Sequence, residues 1–168
     1  GAAGSLRVRL ARLRGFLEPD RAPGAPAEVL VREPAGYRLA VDPGAVDTER
    51  FCRLAEQGAC DEALGLWRGE PFGDLDGVEA AAAEARRLHA VRDALRQRRA
   101  ADLAEAGRLE EAVAELEAVA AEDPLREEPV RELMLALYRA GRHAEALEAY
   151  RRLAGSLGEL GLQPGPAV

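Results

Sequence analysis

The residues best suited to chemistry in this chain are the arginines near its start. Arg7, Arg9, Arg12 and Arg14 fall within the first 17 residues, a stretch that contains no acid. A guanidinium is a planar fork of donors that fits phosphates and guanine edges, so the cluster points to nucleic-acid contact. Little else offers reactivity. All 23 basic residues are Arg, and Lys, Ile and Asn are absent. The aliphatic hydroxyls are Ser5, Thr48 and Ser156, and the imidazoles are His89 and His143. There is no Gly-Xaa-Gly-Xaa-Xaa-Gly segment and no Lys for a phosphate loop. Cys52 and Cys60 stand eight apart with no paired His, which is not zinc-ligand spacing. No nucleophile has a recognisable base. Glu110-Glu111 and Glu127-Glu128 sit at expected helix starts, where carboxylates favour the dipole rather than forming an acid pair. The chain therefore reads as a non-enzyme that needs no cofactor and no metal.

The elements that position those arginines follow from length and periodicity. The 168 residues, 48% apolar and 32% charged, suit one ordinary domain or two small ones with a real core. No run of about 18 apolar residues exists, so no membrane partner is expected. Two cysteines cannot form a disulfide framework, which makes the cytoplasm the default compartment. Lys, Ile and Asn have AT-rich codons, and their absence points to a GC-rich bacterial genome. The net charge of −7 is uneven. Residues 1–46 hold seven Arg against five acids, whereas residues 47–168 are strongly acidic. A basic head on an acidic body confines any nucleic-acid contact to the head. The bland reading is a solvated helix face.

Residues 5–17 read as a helix, because Leu6, Leu10, Leu13 and Leu17 recur as one apolar stripe. The opposite face carries Val8, Ala11, Arg12 and Gly15, with Arg7, Arg9 and Arg14 at its sides. Short side chains flanked by Arg are what a helix entering a major groove requires. Glu18-Pro19 closes the helix, and Asp20–Ala27, with Pro23, Gly24 and Pro26, must be a loop. Glu28–Arg32 and Tyr37–Val41 read as a β-hairpin around Glu33-Pro34-Ala35-Gly36. A domain boundary is expected near 42–46.

Beyond Val46 the pattern is helical, with helices expected at about 47–57, 60–68, 77–106, 109–122, 126–140 and 143–158. Leu103, Gly107, Ala112 and Leu116 are matched 34 positions later by Leu137, Gly141, Ala146 and Tyr150. The same spacing appears earlier as Leu54, Gly58, Ala63 and Trp67. A 34-residue period with a helix-ending Gly and a small Ala in the next helix is a tetratricopeptide pattern. Gly permits a left-handed helix exit, and Ala permits close approach of the paired helices. The first unit is irregular by about fifteen residues, assigned to Gly69–Val78 and an extended start of the next helix. The fold class is mainly α: a partial winged helix, of recognition helix plus hairpin wing, followed by tetratricopeptide-like α-α repeats. Trp67, Tyr138 and Tyr150 are expected to pack at repeat positions. Arg86-Arg87, Arg96, Arg98 and Arg99 are interleaved with Glu84, Asp93 and Asp102, so pairing along one solvated helix is expected.

The segment Leu6-Arg7-Val8-Arg9-Leu10-Ala11-Arg12-Leu13-Arg14, followed by Gly36-Tyr37-Arg38-Leu39, resembles the recognition helix and wing of response-regulator output domains. The helical part resembles the bacterial transcriptional activator domain. Its marks are Val46-Asp47-Thr48-Glu49-Arg50-Phe51, Ala63-Leu64-Gly65-Leu66-Trp67-Arg68-Gly69, Leu133-Met134-Leu135-Ala136-Leu137-Tyr138 and Ala146-Leu147-Glu148-Ala149-Tyr150. The combination is similar to the Streptomyces antibiotic regulatory protein family, over nearly the whole chain. The resemblance implies an activator of antibiotic-biosynthesis transcription whose winged helix reads direct repeats in double-stranded promoter DNA. Its helical domain would support a homodimer and contact the RNA polymerase holoenzyme, at the bacterial nucleoid. By position, Arg9, Arg12 and Arg14 would contact DNA from the recognition helix, Val8 would touch a thymine methyl, and Arg32 would be a wing contact. The division is then 1–45, the C-terminal part of a winged-helix domain, and 46–168, the activator domain. The family's leading sheet and two helices have no counterpart here, so the chain reads as a fragment. The loop Gln57–Cys60 is short, and the chain stops at Pro164-Gly165-Pro166 where the family continues into another helix.

A second reading stays open: a tetratricopeptide-type scaffold that binds a protein, with the basic head incidental. The hairpin after the Arg-rich helix separates the two, because a pure scaffold has no use for a wing.

Overall fold

The computed structural model describes residues 2–75 and 77–168; Gly1, and Asp76 within the inserted stretch 69–78, lie outside the described residues. The chain divides into two compact units, Gly1–Arg50 and Phe51–Val168. The first holds helix α1 (Ala2–Leu17) and strands β1 (Leu30–Glu33) and β2 (Gly36–Leu39). After a short 3-10 turn come α2 (Asp47–Glu56), α3 (Cys60–Leu64), α4 (Glu79–Glu105), α5 (Leu109–Glu122), α6 (Glu127–Arg139) and α7 (His143–Glu159). The chain is thus mainly α, with one antiparallel hairpin among the described residues. None of the helices is long and apolar enough to cross a membrane among the residues described.

The repeat is built as its glycines require. Gly58, Gly107 and Gly141 have φ of 73°, 78° and 78°. Each lets the next residue reach back to the helix it leaves: Ala59 N–H donates to Leu54 O at 3.0 Å, Arg108 to Leu103 at 2.9 Å and Arg142 to Leu137 at 2.8 Å. Three times, then, the same six-residue closure satisfies a terminal carbonyl. The paired alanines, Ala63, Ala112 and Ala146, are all buried, so neighbouring backbones approach with nothing larger than a methyl between them.

Two apolar clusters result, and α4 joins them. Its first two-thirds contributes Leu88 and Leu95 to a cluster with Phe51, Cys60 and Ala63. Its Ala100 belongs to the larger cluster, with Val113 and Leu116 of α5, Leu133 and Leu137 of α6, and Leu153 and Leu157 of α7. Trp67 packs against the first cluster, 5.5 Å from the Phe51 ring and 5.2 Å from the His89 ring, with the Arg92 guanidinium over it at 5.0 Å.

The structure departs from the sequence expectations in five places. Helix α1 begins at Ala2 rather than at residue 5. Helix α3 ends at Leu64 instead of 68. Leu66 and Trp67 follow in tight i→i+3 turns onto Ala63 and Leu64, which swing the indole onto the core. The hairpin strands lie closer to the turn than expected and are each one residue shorter: Glu33 and Gly36, expected in the turn, pair with each other, while Glu28 and Val41 fall outside the strands. Tyr138 and Tyr150 do not pack inside but are exposed; Tyr138 lies against His143, ring centroids 4.6 Å apart. Finally, the α4 arginines pair across helices. Arg87 does bind Glu84 on its own helix, but Arg96 reaches Glu115 and Glu122 of α5, each at 2.5 Å, and Arg99 also reaches Glu115.

Burial opposes ionisation of Glu115, but hydrogen bonds from Arg96 and Arg99 outweigh it and hold its pKa below the ordinary value of 4.5. A carboxylate depressed in this way stabilises the fold above its unfolded pKa, and the contribution is lost as pH falls through the folded one. The α4–α5 contact should therefore weaken in acid. We expect Glu115→Gln to lower stability at neutral pH by about 1–3 kcal/mol, because it removes the carboxylate charge that Arg96 and Arg99 share, leaving them Glu122 and Asp61 alone. It should also flatten the fall in melting temperature below about pH 4.5, measured by circular dichroism across a pH series. An acid profile identical to that of the parent would remove Glu115 from this role.

Candidate nucleic-acid interface

Strong helix formers, Leu, Arg and Ala, fill α1. The last turn closes with Glu18 N–H donating to Arg14 O at 2.8 Å, and Pro19 stops the helix. Glu18 then does more than end an element. Its nearly buried carboxylate accepts from the Glu28 amide at 2.5 Å and from the Val29 amide, across the whole loop. Arg21 braces the same carboxylate at 3.3 Å. One side chain at the end of the helix therefore holds the first residues of the hairpin.

The hairpin pairs Leu30 with Leu39, Val31 with Arg38, Arg32 with Tyr37 and Glu33 with Gly36. Ala40 N–H extends the ladder to Val29 O at 2.7 Å. Arg38 and Glu33 close a pair on the outside at 2.5 Å. A second tie to the helix comes from Arg14, whose Nε donates to Leu30 O at 3.2 Å and whose guanidinium lies over the Tyr37 ring, 5.4 Å from its centroid.

Four of the five residues expected at the interface are exposed: Val8, Arg9 and Arg12 on α1, and Arg32 on β1. Arg9, Arg12 and the neighbouring Arg7 have no acidic partner among the described residues, so three cations of one helix face solvent unneutralised. Arg14 is different. It is half-buried and committed to the hairpin. Tyr37 joins the two parts: its ring receives Arg14, and it is the cross-strand partner of Arg32.

The apolar stripe is only partly used. Leu10 and Leu17 are half-buried, while Leu6 and Leu13 are exposed. A hairpin of four-residue strands is too small to cover four helical turns. Phe16, outside the stripe, is the most exposed large apolar residue described in this unit. Sequence reasoning did not find Glu18 or Tyr37. A Glu before Pro reads simply as a helix end, and nothing local shows that its carboxylate spans ten residues.

The profile of the bacterial transcriptional activator domain matches residues 45–168. The transcriptional regulator RedD of Streptomyces coelicolor is 37% identical over 96% of this chain and 50% of its own length. The regulatory protein DnrI of Streptomyces peucetius is 38% identical over 77% of this chain and 53% of its own. The solved structure of Mycobacterium tuberculosis EmbR in complex with a low affinity phosphopeptide superimposes with a TM-score of 0.81 at 31% identity. It covers 99% of this chain and 48% of that one. The chain spans about half the length of the curated relatives it matches.

Proposed function

The chain belongs to the Streptomyces antibiotic regulatory protein family, and we infer from that membership and from the geometry of its head that it is part of a DNA-binding transcription activator. Residues 1–45 are the C-terminal part of a winged-helix domain, with α1 as recognition helix and β1–β2 as wing. Residues 46–168 are the activator body, which forms a homodimer and meets RNA polymerase. Arg9 and Arg12 contact phosphates and guanine edges, Val8 lies against a thymine methyl, and Arg32 touches the backbone from the wing. Arg14 acts beside them by fixing the wing to the helix.

The observation that carries this reading is the unneutralised Arg7, Arg9 and Arg12 on a helix with a hairpin tied behind it by Glu18 and Arg14. Exposed cations without partners are held ready for an external anion, and each phosphate they meet releases counterions. A scaffold with an incidental head leaves both the ties and the wing without a purpose.

The test is genome-wide DNA capture with the complete protein, followed by affinity measurement on a retained fragment across a salt series. Sharp peaks with direct repeats upstream of promoters, and affinity that falls steeply with salt, are expected. A flat capture profile would overturn the activator reading in favour of the scaffold.

A further inference from the structure

Arg14 and Glu18 stand four residues apart, and the bond from Glu18 N–H to Arg14 O carries the helical turn as far as Glu18. The two side chains therefore share one face at the end of α1. Together they meet three consecutive residues of the hairpin through backbone atoms alone. The Glu18 carboxylate accepts from the Glu28 and Val29 amides, and Arg14 Nε donates to Leu30 O. An acceptor stands where the strand offers N–H groups, and a donor stands where it offers a carbonyl. Val29 O also takes the Ala40 N–H at 2.7 Å, so the clamp and the ladder share a residue. Such a clamp fixes the entry of β1 whatever side chains β1 carries.

The carboxylate is committed to this task. The Glu18 side chain is 8% exposed. Arg21 Nε stands 3.3 Å from its second oxygen, which is buried and accepts no hydrogen bond. A Glu needed only to end a helix would keep its charge in water, because burying a carboxylate is unfavourable unless it is bound.

What the clamp carries is Arg32. Side chains alternate along a strand, so Arg32 shares a face with the buried Leu30 and lies about 6.6 Å farther along. Its cross-strand partner, Tyr37, receives the Arg14 guanidinium. Of the two arginines on the described strands, Arg38 pairs with Glu33. Arg32 is exposed and has no acidic partner among the described residues. The free cation of the hairpin thus sits just beyond the point where the strand is tied to α1.

We propose that Glu18 is a positioning residue for DNA binding: with Arg14, it sets the place of Arg32 relative to Arg9 and Arg12 on α1. This rests on the DNA-binding reading above and gives Glu18 the task of bringing the wing cation to the duplex that α1 reads.

The test is a pair of double-variant cycles in the complete protein, with affinity for a captured promoter fragment measured across a salt series. Glu18→Ala should weaken binding and lower the salt slope by about one unit, as Arg32→Ala should, since each loses one phosphate contact. Glu18→Ala with Arg32→Ala should bind no more weakly than Arg32→Ala alone, because the contact that Glu18 serves is already gone. With Arg9→Ala the losses should add. Glu18→Gln, whose amide oxygen can still accept from both amides, should recover most of the slope. Glu18→Asp, one methylene shorter, should not. A merely structural role would weaken the Arg9 and Arg32 backgrounds alike. Equal losses in those two backgrounds would overturn the positioning role and leave DNA binding standing. So would an unchanged slope for Glu18→Ala, or a Gln variant no better than the Asp one. A parental protein that holds no DNA would overturn the functional reading as well.

Discussion

Ala112→Trp is expected to cost at least about 3 kcal/mol, since overpacking a tight core site costs 1–3 kcal/mol for far smaller additions. For a chain of this size that lowers the melting temperature by about 6–12 °C or more. Ala112 has no exposed surface and sits where α5 leaves the left-handed turn at Gly107 to pack back along α4. With no exposed surface at Ala112, an indole there must displace packed atoms rather than reach solvent. Inserting it must wedge the helices apart and loosen the main cluster, in which Ala100 of α4 joins α5, α6 and α7. The control is Ala118→Trp on the exposed face of the same helix, which should change the melt little. Thermal denaturation of the three chains decides the matter. A parental melt for Ala112→Trp would mean that the repeat register is wrong.

Arg9→Ala with Arg12→Ala, in the complete protein, should weaken binding to a captured promoter fragment by about 30-fold or more. A good bidentate base contact contributes about 1–3 kcal/mol, roughly 5- to 150-fold, and two are removed. If either residue instead meets phosphate, the salt slope should fall by about one unit for each. The thermal melt should not change, because neither side chain has a partner to lose within the fold. Arg14→Ala should behave differently. It removes the donor to Leu30 O and the cation over Tyr37, so the hairpin should lose amide protection and DNA binding should weaken through the wing. Unchanged affinity in the Arg9 and Arg12 double variant would remove the outer face of α1 from the interface.

These two predictions draw on different kinds of legibility. The repeat could be read because its cause is local. A left-handed exit needs Gly, and a close helix approach needs Ala, so Gly58, Gly107 and Gly141 with Ala63, Ala112 and Ala146 mark the fold directly. The basic helix was equally plain, since a run of Arg without acids is a property of composition. Boundaries were less plain: the end of α3 and the ends of the hairpin depended on turns and ladder partners that no single residue announces.

The sequence alone thus determined the helical repeats, the helix–hairpin order of the head and the cationic character of α1, because short-range backbone preference and composition decide each of them. Only the tertiary structure decided which arginines remain free. Arg14 is drawn to the hairpin by Leu30 O and Tyr37, and Arg96 and Arg99 are drawn to Glu115, sixteen to nineteen residues away. Only the structure, too, decided that Tyr150 lies open where Leu116 is covered. The two residues hold equivalent places in the repeat; α6 packs against the helix of Leu116 among the described residues, and burial belongs to neighbours rather than to the residue itself.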